Sequence, residues 1–108
     1  MEKRKPHYDL KKFKKLFSGP KSRVITRAAQ KGAASMGYMD MDDIRTVLKQ
    51  LGPEHFYKSM TTHLNHKLWQ DVYKYRDDDN GLYIKLQLSL DGKEAVLVQM
   101  KKDEGDDE

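Results

Sequence analysis

Cysteine is absent from all 108 residues, which excludes a disulfide framework and any zinc site built on thiolates. A reducing compartment fits that absence, and the cytoplasm is the expected location. Proline occurs three times, and each copy (Pro6, Pro20, Pro53) falls beside an expected helix boundary. No apolar run approaches the roughly 20 residues that a membrane-spanning helix requires, so no membrane partner is expected. The opening Met-Glu-Lys-Arg-Lys-Pro-His is too polar to be the hydrophobic part of a secretory signal. There is no Gly-x-Ser-x-Gly elbow and no glycine loop able to cradle a phosphate. The sole pair at metal-ligand spacing, His63-x-x-His66, sits in an expected turn without an acidic or cysteine partner. No metal and no cofactor are therefore expected.

What the chain has in excess is positive charge, unevenly spread. Residues 1–31 hold eleven Lys or Arg against Glu2 and Asp9, and residues 32–102 balance at ten against ten. The end reverses sign: five of the residues 103–108 are acidic. With 35% charged residues and a mean hydropathy of -0.92, the core has to be small. The expectation is one domain over 1–102 and an acidic tail over 103–108, disordered by composition. A body this basic attracts nucleic acid, acidic protein or anionic membrane through salt-sensitive forces. A solvated helix face that keeps the protein soluble is the plainer alternative.

Leu10, Phe13 and Phe17 fall at helical spacing, predicting a first helix over 7–17 opened by Pro6 and stopped by Ser18-Gly19-Pro20. Ser22 to Ile25 reads as a short extended piece. Thr26 caps an Ala-rich second helix that ends at Gly37. Asp40 opens a third, with Met41, Ile44, Val47, Leu48 and Leu51 as its apolar stripe and Gly52-Pro53 as its stop. From Phe56 the period changes from 3.6 to 2. Strands are predicted near 56–62, 67–76, 82–90 and 94–101, with hairpin turns at Asn80-Gly81 and Asp91-Gly92. Helices first and hairpin-linked strands afterwards mean an α+β fold, with the N-terminal helices on one face of a mainly antiparallel C-terminal sheet.

Strand parity then separates two faces. Leu82, Ile84, Leu86, Leu88 and Leu90 alternate with Tyr83, Lys85, Gln87 and Ser89, so the leucines pack on the helices and Tyr83 and Lys85 look outward. A two-residue turn at Asn80-Gly81 pairs positions that sum to 161. Gln70 and Lys74 then join the outward face, and Trp69, Tyr73 and Tyr75 turn inward. A three-residue loop with Gly92 left-handed puts Val96, Val98 and Met100 on the core side, with Gln99 and Lys101 outward. Lys58 joins Gln70, Tyr83, Lys85 and Lys101 if the register of the first strand matches, and the sequence does not fix that register.

A face of lysine, glutamine and tyrosine suits RNA cleavage by the RNA's own 2′-hydroxyl. That reaction needs a proton removed, a dianionic phosphorane-like state stabilised and the 5′-oxygen protonated. Aromatics and a glutamine amide can hold unstacked bases. The alternative is that Lys58, Lys85 and Lys101 are ordinary solvated strand residues.

The segment Phe56-Tyr57-Lys58-Ser59-Met60-Thr61-Thr62, followed by His66 and Trp69-Gln70-Asp71-Val72-Tyr73, resembles the signature of the MqsR toxins of bacterial type II toxin–antitoxin systems. The opening Met-Glu-Lys-Arg-x-Pro-His, Arg23, Thr26-Arg27-Ala28, Gly37 and Tyr83-x-Lys85 match as well, so the resemblance runs from residue 1 to about 101. It implies a RelE-like α+β fold and an endoribonuclease that cuts single-stranded mRNA without the ribosome, at GC-containing triplets. It also implies a cognate antitoxin as partner, with DNA met only indirectly through the toxin–antitoxin complex. By position, the catalytic lysine, glutamine and tyrosine fall on Lys58, Gln70 and Tyr83. His7 and Lys101 are the further transfers, and Lys85, Lys11 and Lys14 complete the expected substrate-binding set. The acidic turn Asp77-Asp78-Asp79-Asn80 and the acidic tail depart from the pattern. The alternative class is a non-catalytic basic nucleic-acid-binding or regulatory module, in which the N-terminal helix carries the function.

Overall fold

The computed structural model describes residues 1–105. Its elements run β1 (Glu2–Lys3), α1 (Leu10–Ser18), β2 (Arg23–Ile25), α2 (Arg27–Ser35), α3 (Met41–Gln50), a 3-10 turn (Pro53–His55), β3 (Phe56–Thr61), β4 (Trp69–Asp77), β5 (Asn80–Leu88) and β6 (Ala95–Lys102). The six strands form one sheet in the order β1-β3-β4-β5-β6-β2. All pairings are antiparallel except β2 with β6. The fold is α+β, as the pattern of periods required.

Each helix starts at a side-chain cap. Asp9 accepts the amide of Lys11 at 2.9 Å, Thr26 that of Ala29 at 3.0 Å, and Asp40 that of Asp43 at 2.9 Å. Such caps satisfy amides that have no partner within the helix. The Asp9 cap moves the start of α1 to Leu10, so Pro6 lies in an extended lead-in and not in the opening turn. Gly37, at φ 97°, ends α2 in the left-handed conformation.

The helices bury Phe13, Phe17, Ala29, Ala33, Ile44, Val47 and Leu48 against Tyr73, Leu82, Ile84, Leu86, Ala95, Leu97 and Met100 of the sheet. Among the described residues the opposite face carries no helix. At Gly32 the α2 backbone passes so close to β6 that a Cβ would collide with the Met100 carbonyl.

Further sequence expectations change. The β4–β5 turn lies at Asp78-Asp79, with Asp77 opposite Asn80, two residues before the expected Asn80-Gly81. Asp78 takes the left-handed φ of 54°, a conformation that short polar side chains tolerate. Paired positions sum to 157 instead of 161, and because both sums are odd the two faces come out as expected. In β6 the register slips between Lys85 and Leu86 of its partner. That bulge sends Ala95 and Leu97 into the core with Met100 and turns Val96 toward the open face, reversing the expectation for Val96 and Val98. Leu90 lies in the hairpin loop, 83% exposed. Finally, β1 is a strand of two residues, too short for any period to announce it. Of the acidic tail, Asp103–Gly105 lies against the β4–β5 hairpin, with the Asp103 amide bonded to the Gly81 carbonyl at 2.8 Å. The residues 106–108 lie outside the described residues.

Candidate active site on the open sheet face

The pairing register arranges the open face in three rows across the strands. The first contains Glu2, Met60, Gln70, Gln87, Val96 and Val24. The second contains Lys58, Val72, Lys85 and Gln99. The third contains Lys74, Tyr83 and Lys101. Neighbours in a row stand about 4.8 Å apart and rows are separated by about 6.6 Å. Lys58, Gln70 and Tyr83 therefore occupy three adjacent strands, one in each row, about 8 to 14 Å from one another along the face. The β3 register, which the sequence left open, is the one that brings Lys58 to this face.

A bulge between Phe56 and Lys58 makes that possible. Phe56 packs edge-on against the core ring of Tyr73, and the bulge lets Tyr57 share the open side with Lys58. The Tyr57 ring centroid lies 4.0 Å from Lys74 Nζ, 5.4 Å from Lys58 Nζ and 5.7 Å from Arg4 Cζ. Tyr83 sits between Lys101 Nζ at 5.1 Å and Lys85 Nζ at 5.9 Å from its ring. Four lysines thus line the face. Two described carboxylates answer them at its margins: Glu2 pairs with Lys58 at 3.2 Å and Asp103 with Lys74 at 3.4 Å.

Burial distinguishes these side chains from solvated strand residues. Lys58 is 3% exposed and Tyr83 5%, although both look away from the helices. Val72 and Tyr83 are buried apolar side chains outside the helix-facing cluster, so the cationic face has a small packed floor of its own. An ammonium held against such a floor is fixed in position and only partly hydrated, which strengthens its pull on an anion.

His7 is placed elsewhere. It stacks on Trp69 at 5.4 Å, on the helix-facing side where Lys3 Nζ donates to His7 Nδ1 at 2.9 Å. Partial burial and the Lys3 charge lower its pKa, with Asp71 pulling the other way. Trp69, expected inward, does point to that side, but it is covered by His7 and by Lys3, 4.2 Å from the ring, instead of by the helices. Lys11 and Lys14 lie on α1, also in the helix layer. Lys14 Nζ is spent on the carbonyls of Lys49 and Leu51, at 2.7 and 2.8 Å, where it caps α3. The structure thus gathers Lys58, Gln70, Tyr83, Lys85 and Lys101 and leaves His7, Lys11 and Lys14 apart. His63 and His66 are exposed in the 62–68 loop.

Sequence reasoning missed Asp71. Fully buried, it accepts the Ser59 hydroxyl at 2.6 Å and the amides of His7 and Tyr8 at 3.0 Å each. It ties the N-terminal segment that carries Glu2 and Arg4 to the sheet. The signal was present, since a carboxylate on the inward parity of β4 has to be satisfied by something. Burial and that nearby charge push the Tyr8 and Tyr73 phenols up to about 12. Tyr57 was also missed, and finding it required the bulge.

The fold and the face together define an α+β protein with a cationic, helix-free sheet surface built on lysine, glutamine and tyrosine. A family model described as "Motility quorum-sensing regulator, toxin of MqsA" matches residues 5–102. A curated protein of Escherichia coli (strain K12), "mRNA interferase toxin MqsR", is 41% identical over 102 residues, which cover 94% of this chain and 99% of the relative. The chain belongs to the MqsR toxin family.

Proposed function

We propose that this protein is an endoribonuclease toxin that cleaves single-stranded mRNA by attack of the RNA's own 2′-hydroxyl. In this reading it acts in the cytoplasm, without the ribosome and at GC-containing triplets, and a cognate antitoxin silences it. DNA is met only through the toxin–antitoxin complex. The observation that carries the reading is the gathering of Lys58, Lys85 and Lys101 around Gln70 and Tyr83 on one face, in a chain of this family.

The chemistry follows from what each side chain offers. Lys58, held on the packed floor, meets the scissile phosphate and offsets the charge that grows on its oxygens. Tyr83 and the lysines beside it are the groups on the face able to exchange protons with the 2′-hydroxyl and the 5′-oxygen. The Gln70 amide holds a base or ribose by hydrogen bonding, and Tyr57 offers a ring on which an unstacked base can lie. Lys11 and the other α1 lysines enter as a long-range field, because α1 packs on the far side of the sheet.

The test is purified protein on a defined RNA, with and without EDTA, followed by analysis of the product ends. The expected products carry a 2′,3′-cyclic phosphate and a 5′-hydroxyl and form equally in EDTA. Cleavage lost in EDTA and restored by a divalent ion overturns the 2′-hydroxyl route as drawn. A mobility shift without cleavage favours the binding module instead.

A further inference from the structure

The Gln70 amide is held in one orientation. Its Nε2 donates to Gln87 Oε1 at 2.8 Å, and Gln87 Nε2 donates to the Leu88 carbonyl at 3.4 Å. This chain of amides has a direction. A backbone carbonyl only accepts, so the end of Gln87 that faces it is the nitrogen. Gln87 then offers its oxygen to Gln70, and Gln70 answers with its nitrogen. Turning either amide over sets oxygen against oxygen. Gln87 is 9% exposed, so water competes little for these contacts. Gln70 Oε1 is left at the end of the chain, and among the described residues it makes no hydrogen bond.

We propose that Gln87 is a positioning residue that locks the Gln70 amide with its carbonyl oxygen toward bound RNA, so that Gln70 selects a hydrogen-bond donor of the nucleotide. The proposal rests on the ribonuclease reading and deepens it. An unlocked glutamine presents oxygen or nitrogen with equal ease and accepts either kind of edge. A locked one prefers an N–H or O–H group, which means an exocyclic amine of guanine, cytosine or adenine, an imino N–H of guanine or uracil, or a ribose 2′-hydroxyl. It disfavours an edge that offers only a carbonyl there.

The test crosses a change in the protein with a change in the RNA. Wild type, Gln87→Leu and Gln87→Glu are assayed on one cleavable oligonucleotide and on copies that each lack one donor. Inosine removes the guanine amine, purine riboside the adenine amine and a pyrimidin-2-one nucleoside the cytosine amine; N1-methylguanosine and N3-methyluridine remove the imino N–H, and 2′-deoxy sugars away from the attacking position remove a hydroxyl. Wild type should lose about two- to tenfold in kcat/KM on one of these copies, the size of one neutral hydrogen bond. Gln87→Leu should cut the unmodified RNA more slowly and lose that discrimination. Gln87→Glu keeps an acceptor toward Gln70, so it should keep the discrimination while its added charge slows all substrates. A purely structural role would lower every substrate alike. Discrimination unchanged in Gln87→Leu, or a wild type indifferent to every donor removed, overturns the proposal.

A second measurement needs no cleavage. In the free protein, NMR should show the Gln70 side-chain amide protons close to Gln87, with one shifted by its hydrogen bond, and Gln87→Leu should erase that shift. A wild type without it overturns the lock even if RNA is cut. A lock present in a protein that cuts no RNA overturns the ribonuclease reading and leaves the lock standing.

Discussion

Lys58 is 3% exposed and paired with Glu2 at 3.2 Å, so the lysine proposed to meet the scissile phosphate already has an anionic neighbour before RNA arrives. Glu2 is half exposed and stands on the two-residue strand β1, from which an incoming phosphate can displace it.

That competition has a measurable consequence. Glu2→Gln keeps a hydrogen-bond acceptor and removes the charge, so RNA should bind about two- to fivefold more tightly, the scale of a partly exposed ion pair. Fluorescence anisotropy with a non-cleavable RNA reads this directly. Weaker binding would mean that the Glu2 charge is needed to place Lys58.

The burial of the proposed site residues decides which substitutions are informative. Tyr83→Ala opens a hole in the packed floor and should lower stability by about 3 kcal/mol as well as activity. Tyr83→Phe keeps the ring and removes the hydroxyl. That variant and Lys58→Met should each lose about a hundredfold or more in cleavage, and Gln70→Ala about two- to tenfold, the size of one neutral hydrogen bond, while all three melt within a few degrees of wild type. A Tyr83→Phe protein that cleaves normally removes the phenol from the reaction.

Asp71 serves three donors from the inner side of the sheet, and removing it leaves buried groups without partners. Asp71→Ala should cost about 2–4 kcal/mol. Hydrogen exchange at His7 and Tyr8 should rise, because their amides bond to that carboxylate. Protection retained at both amides would contradict the anchoring role.

Alkaline pH tests the same region. The Tyr8 and Tyr73 phenols are raised from 10 to about 12, by burial first and then by Asp71. A folded-state pKa above the unfolded one gives stability that is complete below pH 10 and lost as pH rises toward 12. Denaturant midpoints measured from pH 8 to 12 should fall across that window, and Tyr8→Phe should lessen the fall. A flat profile would show that the phenols ionise alike in both states.

Gly32→Ala runs against helix propensity. Alanine favours a helix by about 1 kcal/mol over glycine, yet here its methyl would strike the Met100 carbonyl. A net loss of about 1–3 kcal/mol is expected from forcing α2 off β6, read as a lowered urea midpoint. A gain in stability would mean that α2 moves away without penalty.

Most of the open face was legible because parity survives an even shift. The hairpin closed at Asp78-Asp79 and not at Asn80-Gly81, yet Gln70, Tyr83 and Lys85 still came out on one side. A bulge adds a single residue, so it inverts parity and leaves no mark in alternation. One bulge reversed Val96 in β6, and another brought Tyr57 beside Lys58. The register of β3 was illegible for a different reason. It depends on pairing across the 62–68 loop, whose length does not prescribe a turn. His7 could not be placed by pattern either, since an extended lead-in has no period and its position depends on Asp71.

Both edges of the sheet come from the first 25 residues, and both wait for partners made much later. Val24 pairs with Val96, and Glu2 with Met60. A chain growing from its N-terminus therefore carries β1 unpaired until Met60 is made, and β2 unpaired until the last strand, with Val96, has emerged. Tyr83 pairs with Lys101 near the end of β6, so the proposed catalytic face is among the last parts to close. A cell making this protein meets a dangerous surface only once synthesis is nearly complete. Truncated products should be open chains for proteolysis and not partial enzymes.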